Sequence, residues 1–405
     1  LPKTMKHYFP NLKKAIGEMP DCRKRTEYKL SEIIMGAITM YIFKEGSRNS
    51  YNNERKDKDF MRNYKKLFGV ALPHMDTVDD FFRVIAPEEM EKLKVKMVRE
   101  LLNKKVFHKW RLKGKYFVVA IDATGVMSFK EKHCQKCLTR ESKNGKKTWF
   151  HNVLEAKLVL QNGLSISLAS EWIENDTEGY DKFTEFREQD CEIKAFKRLA
   201  KKLKKYFPRL PICIVGDGLY PNETVFSICK ANKWEHIITL KDGNLKTVWD
   251  EVRQLLPLQK ENKLQVTAID KKQEKTNNYR WVNQIDYRGY KLDWIETLET
   301  IKTEKEETTK KYVYVSSFKI NKKTAAQIGL AGRLRWKIEN EGFNEQKNRG
   351  YELEHKYSKV SLTAAKNYYQ SLQIAAMINQ LLELGEKLKS YIKEKITIKH
   401  LWKHL

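Results

Sequence analysis

Cysteine is scarce in this sequence. Six occur in 405 residues, without the dense spacing of a disulfide-stapled secreted domain, which fits a reducing compartment. Long apolar runs are missing too. A bilayer span takes roughly 18–20 consecutive apolar residues; the best stretch, Ile33 to Phe43, is shorter and reads as a core helix. With no signal-peptide pattern at the start, the expectation is a soluble, cytoplasmic protein with no membrane span. Neither Gly-x-Ser-x-Gly nor His-Glu-x-x-His occurs, which removes the common hydrolase classes. Around Gly145, Lys146, Lys147 and Thr148 the first glycine of a phosphate loop is absent, with Arg140 in its place, so nucleotide binding is not expected. Acidic residues are also in short supply. Against 79 Lys and Arg stand 52 Asp and Glu, a net charge of +27.

What remains is ordinary for a globular chain: 41% hydrophobic and 11% aromatic residues, enough for two or three domains at roughly 150 residues each. The basic excess is spread along the chain in short clusters rather than held in a tail. Such a surface attracts polyanions, because each Lys or Arg near a phosphate releases counterions. Nucleic acid is the leading partner and an anionic membrane surface the runner-up.

Residues 1–112 read as a helical, basic domain, the pattern of a DNA-binding module and equally of any helical bundle. Leu30 to Phe43 is an apolar helix, Asp76 to Ile85 a helix with Thr77 and Asp80 close to a capping box, and Pro87 to Lys105 a charged amphipathic helix. The stretch from Gly46 to Arg62 reads as a polar connector. The pattern changes at Lys115. Tyr116 to Asp122 is a β-branched and aromatic run, predicting a buried strand. Val153 to Leu160 and Leu164 to Ser170 flank Gln161-Asn162-Gly163, a strong hairpin signal. A helix from Asp190 to Tyr206, a strand from Pro211 to Asp217, a helix from Glu223 to Asn232 and a strand from Glu235 to Leu240 follow. Three antiparallel strands and then parallel strands alternating with helices predict an α/β fold with an RNase H-like core, its first part spanning 113–244. Residues 245–320 read as a β-rich insertion, 321–360 as the returning core with a helix, and 361–405 as a C-terminal helical region ending in a basic amphipathic stretch from Glu386 to Leu405.

Two strand patterns end alike, in an apolar run followed by Asp and a turn signal: Ala-Ile-Asp122-Ala-Thr-Gly and Val-Gly-Asp217-Gly. Open α/β sheets hold ligands at that carboxyl edge. Neighbouring carboxylates repel unless a cation lies between them, and hard oxygen ligands select Mg²⁺ or Mn²⁺. A third carboxylate comes from Arg335-Trp-Lys-Ile-Glu339-Asn-Glu341-Gly-Phe343. On a helix Arg335, Glu339, Phe343 and Gln346 share a face, and Glu341, roughly 200° further round, faces elsewhere. A surface Glu339 paired only with Arg335 is the alternative.

These three motifs resemble the acidic signatures of the DDE transposases. More narrowly, they are similar to the bacterial insertion-sequence-four-like group, which carries a β-rich insertion before the catalytic Glu. The resemblance covers roughly residues 70 to 360. It implies that Asp122, Asp217 and Glu339 are catalytic and hold two Mg²⁺ (or Mn²⁺) ions. The implied activity is cleavage at transposon ends, followed by joining of the freed 3′-OH to target DNA. It also implies terminal inverted repeats and target DNA as partners, a homodimer assembled on DNA, and a nucleoid-associated location. The group favours a Tyr, two residues, Arg, three residues, Glu, six residues, Lys pattern. Arg335 and Glu339 fit it; Gly332 stands where the Tyr would be and Gln346 where the Lys would be, with Lys347 one step on. Arg335 and Lys347 are therefore candidate DNA contacts. Some members hold a flipped base on an aromatic residue of the insertion, for which Trp281 and Trp294 are the candidates here. A metal-dependent nuclease of RNase H-like type and a catalytically retired DNA-binding relative are the competing readings.

Two further signals stand apart. His133-Cys134-Gln-Lys-Cys137 with His151 offers four ligands for a structural zinc, Cys191 being an alternative to one histidine; reduced free thiols are the competing reading. Lys197 to Lys205 reads as a helix with a basic face, making Lys201 and Lys205 candidate phosphate contacts.

Overall fold

The computed structural model describes residues 1–24, 26–175, 189–270 and 273–383. Seven helices come first: α1 (Pro2–Tyr8), α2 (Leu12–Gly17), α3 (Leu30–Ile42), α4 (Arg48–Glu54), α5 (Lys58–Phe68), α6 (Met75–Val84) and α7 (Pro87–Asn103). The expected connector at 46–62 is thus largely helical. Ser47 and Asp57 make it so, their side-chain oxygens accepting the orphan N–H groups of Ser50, Asp59 and Phe60 at two helix starts. Thr77 lies inside α6, whose cap is His74, accepting from the Asp76 N–H.

The strands follow: β1 (Phe117–Phe129), β2 (Leu138–Glu141), β3 (Lys147–Val159) and β4 (Ser165–Ile173), then α8 (Glu192–Tyr206), β5 (Ile212–Gly216), α9 (Glu223–Asn232) and β6 (Glu235–Thr239). β3 pairs antiparallel with both β1 and β4, while β5 runs parallel to β1 and β6 parallel to β5. The spatial order β4–β3–β1–β5–β6 is the mixed α/β arrangement the sequence predicts. β1 is buried on both faces, Val118 and Ala120 in one core and Val119 and Ile121 in the other, hence its unbroken apolar run. The Gln161-Asn162-Gly163 turn joins β3 to β4, with Gly163 at a positive φ of 97°. β2, pairing with the start of β3 inside the expected basic loop, is an addition.

Residues 245–320 open with a helix, α10 (Lys246–Leu255), before the expected strands β7 (Lys263–Asp270), β8 (Gln273–Tyr287), β9 (Tyr290–Thr303) and β10 (Glu307–Ser316). These strands are continuous with the central sheet. β10 pairs with β6 and with β9, so among the described residues ten strands form one sheet. Then come α11 (Ala325–Arg333), a π-helical turn at Ile338–Asn344, α12 (Glu345–Asn348) and α13 (Leu362–Glu383).

α13 is the axis of the helical half, packing on α3, α6, α7 and β4. Two buried asparagines complete it. Asn367 Nδ2 donates to the carbonyls of Phe82 and Ile85 at the end of α6, and Asn379 Nδ2 to that of Ile42 at the end of α3. Helix C-termini leave carbonyls without intrahelical donors, and these amides supply them in the core. The expected basic stretch 386–405 lies outside the described residues. Among those described, no helix is long and apolar enough to cross a membrane.

α11 lies close on the sheet because of two glycines. A Cβ on Gly329 would fall 2.7 Å from the Tyr279 ring, and one on Gly332 2.7 Å from that of Tyr314. The Tyr314 ring of β10 fills the space beside Gly332. Alanine in an open helical position gains about 1 kcal/mol over glycine. Here overpacking is expected to win: Gly332→Ala should destabilise the protein by about 1–3 kcal/mol. Gly17→Ala, with nothing near its would-be Cβ, should cost nothing. Urea unfolding of both variants checks this, and an unchanged midpoint for Gly332→Ala would contradict it.

Candidate active site

Asp122 sits within β1 rather than at its end, since β1 continues to Phe129 along β3. It is nevertheless at an edge, because the parallel pairing with β5 ends at Ala120 opposite Val215. Two residues on from that pair stand Asp122, still in β1, and Asp217, just past the end of β5. The Asp122 Oδ1 accepts the Ala123 N–H at 2.9 Å, and the Asp217 Oδ1 accepts the Leu219 N–H at 2.8 Å. Lys241 donates to the Asp217 Oδ2 at 3.2 Å. Its stem crosses Gly218, where a Cβ would meet the lysine Cδ at 2.5 Å, so only glycine admits that approach.

Glu339 arrives from the other side of the chain. It begins the π-helical turn, a rare form that tends to appear at functional sites. Arg335 joins it to β1: its Nη1 lies 2.6 Å from the Glu339 Oε1 and 3.7 Å from the Asp122 Oδ2. The guanidinium is buried while both carboxylates stay partly exposed. Phe343 and Gln346 are buried as the helical face predicts, Gln346 exchanging two 3.0 Å hydrogen bonds with Gln373 of α13. Glu341 turns away and pairs with Lys337.

A fourth carboxylate, which the sequence reading did not single out, completes the cluster. Glu192, at the first turn of α8, accepts the Tyr220 hydroxyl at 3.0 Å. Burial pushes its carboxyl above the usual range, Tyr220 opposes the shift, and the Asp217 charge adds to it. Its only sequence signal is its place at a helix start. Asp122 is the most perturbed of the group. Burial first and the Glu339 charge second raise its pKa to about 7, against the pull of Arg335. A cluster that holds a proton near neutrality has a standing demand for positive charge.

The other expected contacts scatter. Trp281 and Trp294 are interior, 2% and 1% exposed. Trp281 belongs to the core beneath α11, and Trp294 packs edge-on against Trp249 with centroids 6.0 Å apart. Neither offers a face to a base, a correction that follows from the tight packing of β8 and β9 on their neighbours. Trp336 is exposed, at 43%, with the Arg335 guanidinium 4.5 Å from its ring centre, and it lines a cleft with Lys337 and Glu341 rather than with the aspartates. Lys347 is half-buried and pairs with Glu354 at 2.7 Å. Lys201 and Lys205 are exposed on α8, roughly 13 and 20 Å along the helix from Glu192 at 1.5 Å per residue. They lie on a flank, away from the carboxylate end.

His133, Cys134, Cys137 and His151 do converge. Their candidate ligand atoms all lie within 4.8 Å of one another, forming a group able to hold a metal ion such as zinc. Cys191, exposed at the start of α8, is outside it. Compared with known proteins, the chain matches no protein-family model and no curated protein.

The Asp122 shift carries a pH signature. Its carboxyl is raised in the fold relative to about 3.9 in an unfolded chain, so the folded state holds the extra proton between pH ~4 and ~7. Stability therefore falls as pH rises through that window and stays lower above it. In chelator-containing buffer, Asp122→Asn should be more stable than wild type at pH 8, by an amount on the order of 2 kcal/mol. The two should converge near pH 4 in thermal unfolding. A gap that does not shrink on acidification would contradict the assignment.

Proposed function

We propose that the chain is a DNA transposase with an RNase H-like catalytic core, in which Asp122, Asp217 and Glu339 are the catalytic carboxylates. The observation that carries this reading is that Asp122 and Asp217 each stand two residues past the last β1–β5 pair, Ala120 with Val215, with Glu339 bridged to Asp122 by one buried arginine. The donor set fits Mg²⁺ or Mn²⁺: oxygen ligands only, partly exposed, with a cation already drawn between two of them in the form of Arg335. When bound, two such ions would neutralise charge on the attacking and leaving oxygens of an in-line displacement at phosphorus.

The chain's own groups position and balance. Arg335 fixes Glu339 against Asp122 and offsets their repulsion. Lys241 does the same for Asp217, and its exposed ammonium can also meet a phosphate. Tyr220 holds Glu192 behind the edge. Trp336, exposed next to Arg335 in the chain, has a ring free to stack on a base of bound DNA. The charge of +27 supplies affinity for the rest of the duplex, with Lys201 and Lys205 as flanking phosphate contacts. The partners are DNA, as element ends and target, and a second copy assembled on it.

The test uses purified protein, Mg²⁺ and DNA carrying the sequences that flank its gene. Wild type is expected to expose 3′-OH ends and join them to a target plasmid. Asp122→Ala, Asp217→Ala and Glu339→Ala should each lower cleavage at least a hundredfold while gel-shift binding survives, and Glu341→Ala should cleave normally. Cleavage without joining would assign a nuclease. Binding with no cleavage would assign a retired relative. Activity that follows Glu341 rather than Glu339 would overturn the third assignment. Trp336→Ala should weaken DNA binding about tenfold, as loss of one base–aromatic stack of about 1–3 kcal/mol predicts.

A further inference from the structure

The cluster far along β1 from the carboxylates has the dimensions of an occupied metal site. In a tetrahedral zinc site, with Zn–S near 2.3 Å and Zn–N near 2.05 Å, two sulfurs stand roughly 3.8 Å apart and a sulfur and nitrogen roughly 3.6 Å. The Cys134 and Cys137 sulfurs are 3.7 Å apart, and the His151 Nε2 lies 3.5 and 3.3 Å from them. A disulfide would need about 2.05 Å. The Cys137 Sγ also accepts the Cys134 N–H at 3.4 Å.

His133 supplies the fourth corner. Its Nε2 lies 2.6 Å from the Lys359 carbonyl oxygen, which requires an N–H on that nitrogen. The lone pair is then on Nδ1, which is shielded from solvent and has no hydrogen-bond partner. Metal-bound histidines are held in this way, the far N–H donating to a backbone carbonyl. Phe129 stacks on the His133 ring at 4.2 Å, and the Lys356 ammonium lies 4.4 Å from the centre of the Phe129 ring.

We propose that His133 through Nδ1, Cys134, Cys137 and His151 through Nε2 bind one structural zinc ion that ties the β1–β2 loop to β3 and to the segment carrying Lys359. On binding, the two thiols release their protons to solvent and no redox change occurs. The tie has a consequence beyond the loop. His355, Lys356 and Lys359 line a cleft of about 880 Å³ opposite Arg48, Arg55 and Lys56 of the helical half. A zinc-anchored Lys359 would hold one wall of that basic cleft in place. This inference stands independently of the transposase reading.

The test is metal analysis of the full chain purified without chelator, followed by cobalt substitution. The expected content is about one zinc per chain, and the cobalt form should show the visible absorption of a tetrahedral Cys₂His₂ complex. Cys137→Ser should lose the metal, while Cys191→Ser should retain it. Should Cys137→Ser fail to fold, the wild-type cobalt spectrum decides alone. Removing the metal should speed hydrogen exchange at residues 355–360. Less than about 0.3 zinc per chain, a Cys134–Cys137 disulfide in the purified protein, or a cobalt spectrum without sulfur ligation would each overturn the site. Unchanged exchange at 355–360 would overturn the tie.

Discussion

Carboxylates that repel one another at one sheet edge, Glu339 and Glu192 acting on Asp122 and Asp217 on Glu192, set the terms for the rest of this molecule. Asp122, Asp217, Glu192 and Glu339 come from four separate elements, and their mutual repulsion and partial burial work against folding. The fold answers with cations and donors: Arg335 between Asp122 and Glu339, Lys241 on Asp217, and Tyr220 on Glu192. Removing Arg335 would leave two carboxylates uncompensated beside a core, which is why a buried guanidinium is tolerated there. Stability is given up at one sheet edge to obtain a site that attracts positive charge.

Holding that arrangement requires a stiff support on both sides. On one, the parallel pairing of β1 with β5 puts each aspartate two residues past the last pair. On the other, Gly329 and Gly332 let α11 lie directly on the tyrosines of β8 and β10, and the π-helical turn then carries Glu339 towards β1. Behind this turn Gln346 locks to Gln373 of α13. α13 is in turn pinned by Asn367 and Asn379 to the ends of α6 and α3. The helical half is thus connected to the carboxylate edge by hydrogen-bonded amides inside the core, where an unpaired amide would cost more than at the surface.

How much of this could be read in the chain varies with the range of the interaction. β1, the β3–β4 hairpin, β5, α9 and β6 were legible because their patterns are local: continuous apolar runs, an Asn-Gly turn and a helical period. α4 and α5 were not, because their sequences are polar and only their caps and packing make them helical. The β-character of 263–316 was visible, but its continuity with the central sheet was not, since β6–β10 pairing joins residues far apart in sequence. Among candidate site residues, Asp122 and Asp217 could be named from strand patterns, Glu339 from helix facing and resemblance, and the His/Cys group from its spacing. Glu192 could not, because nothing local separates it from any other Glu at a helix start. Trp281 and Trp294 took the core alternative over the base-holding one, as aromatic residues on strands fit a core as readily as a binding face.

The sequence by itself determined the basic charge of +27 and the ligand types on offer, three acidic motifs and a group of two cysteines and two histidines. Both are properties of residue type, which folding does not alter. The tertiary structure decided which groups come together: that Arg335 lies between Asp122 and Glu339, that Glu341 pairs with Lys337, and that Trp336 is exposed while Trp281 and Trp294 are buried. Proximity across the chain depends on strand register and on how closely α11 approaches the sheet. Those depend on packing among residues with no motif of their own.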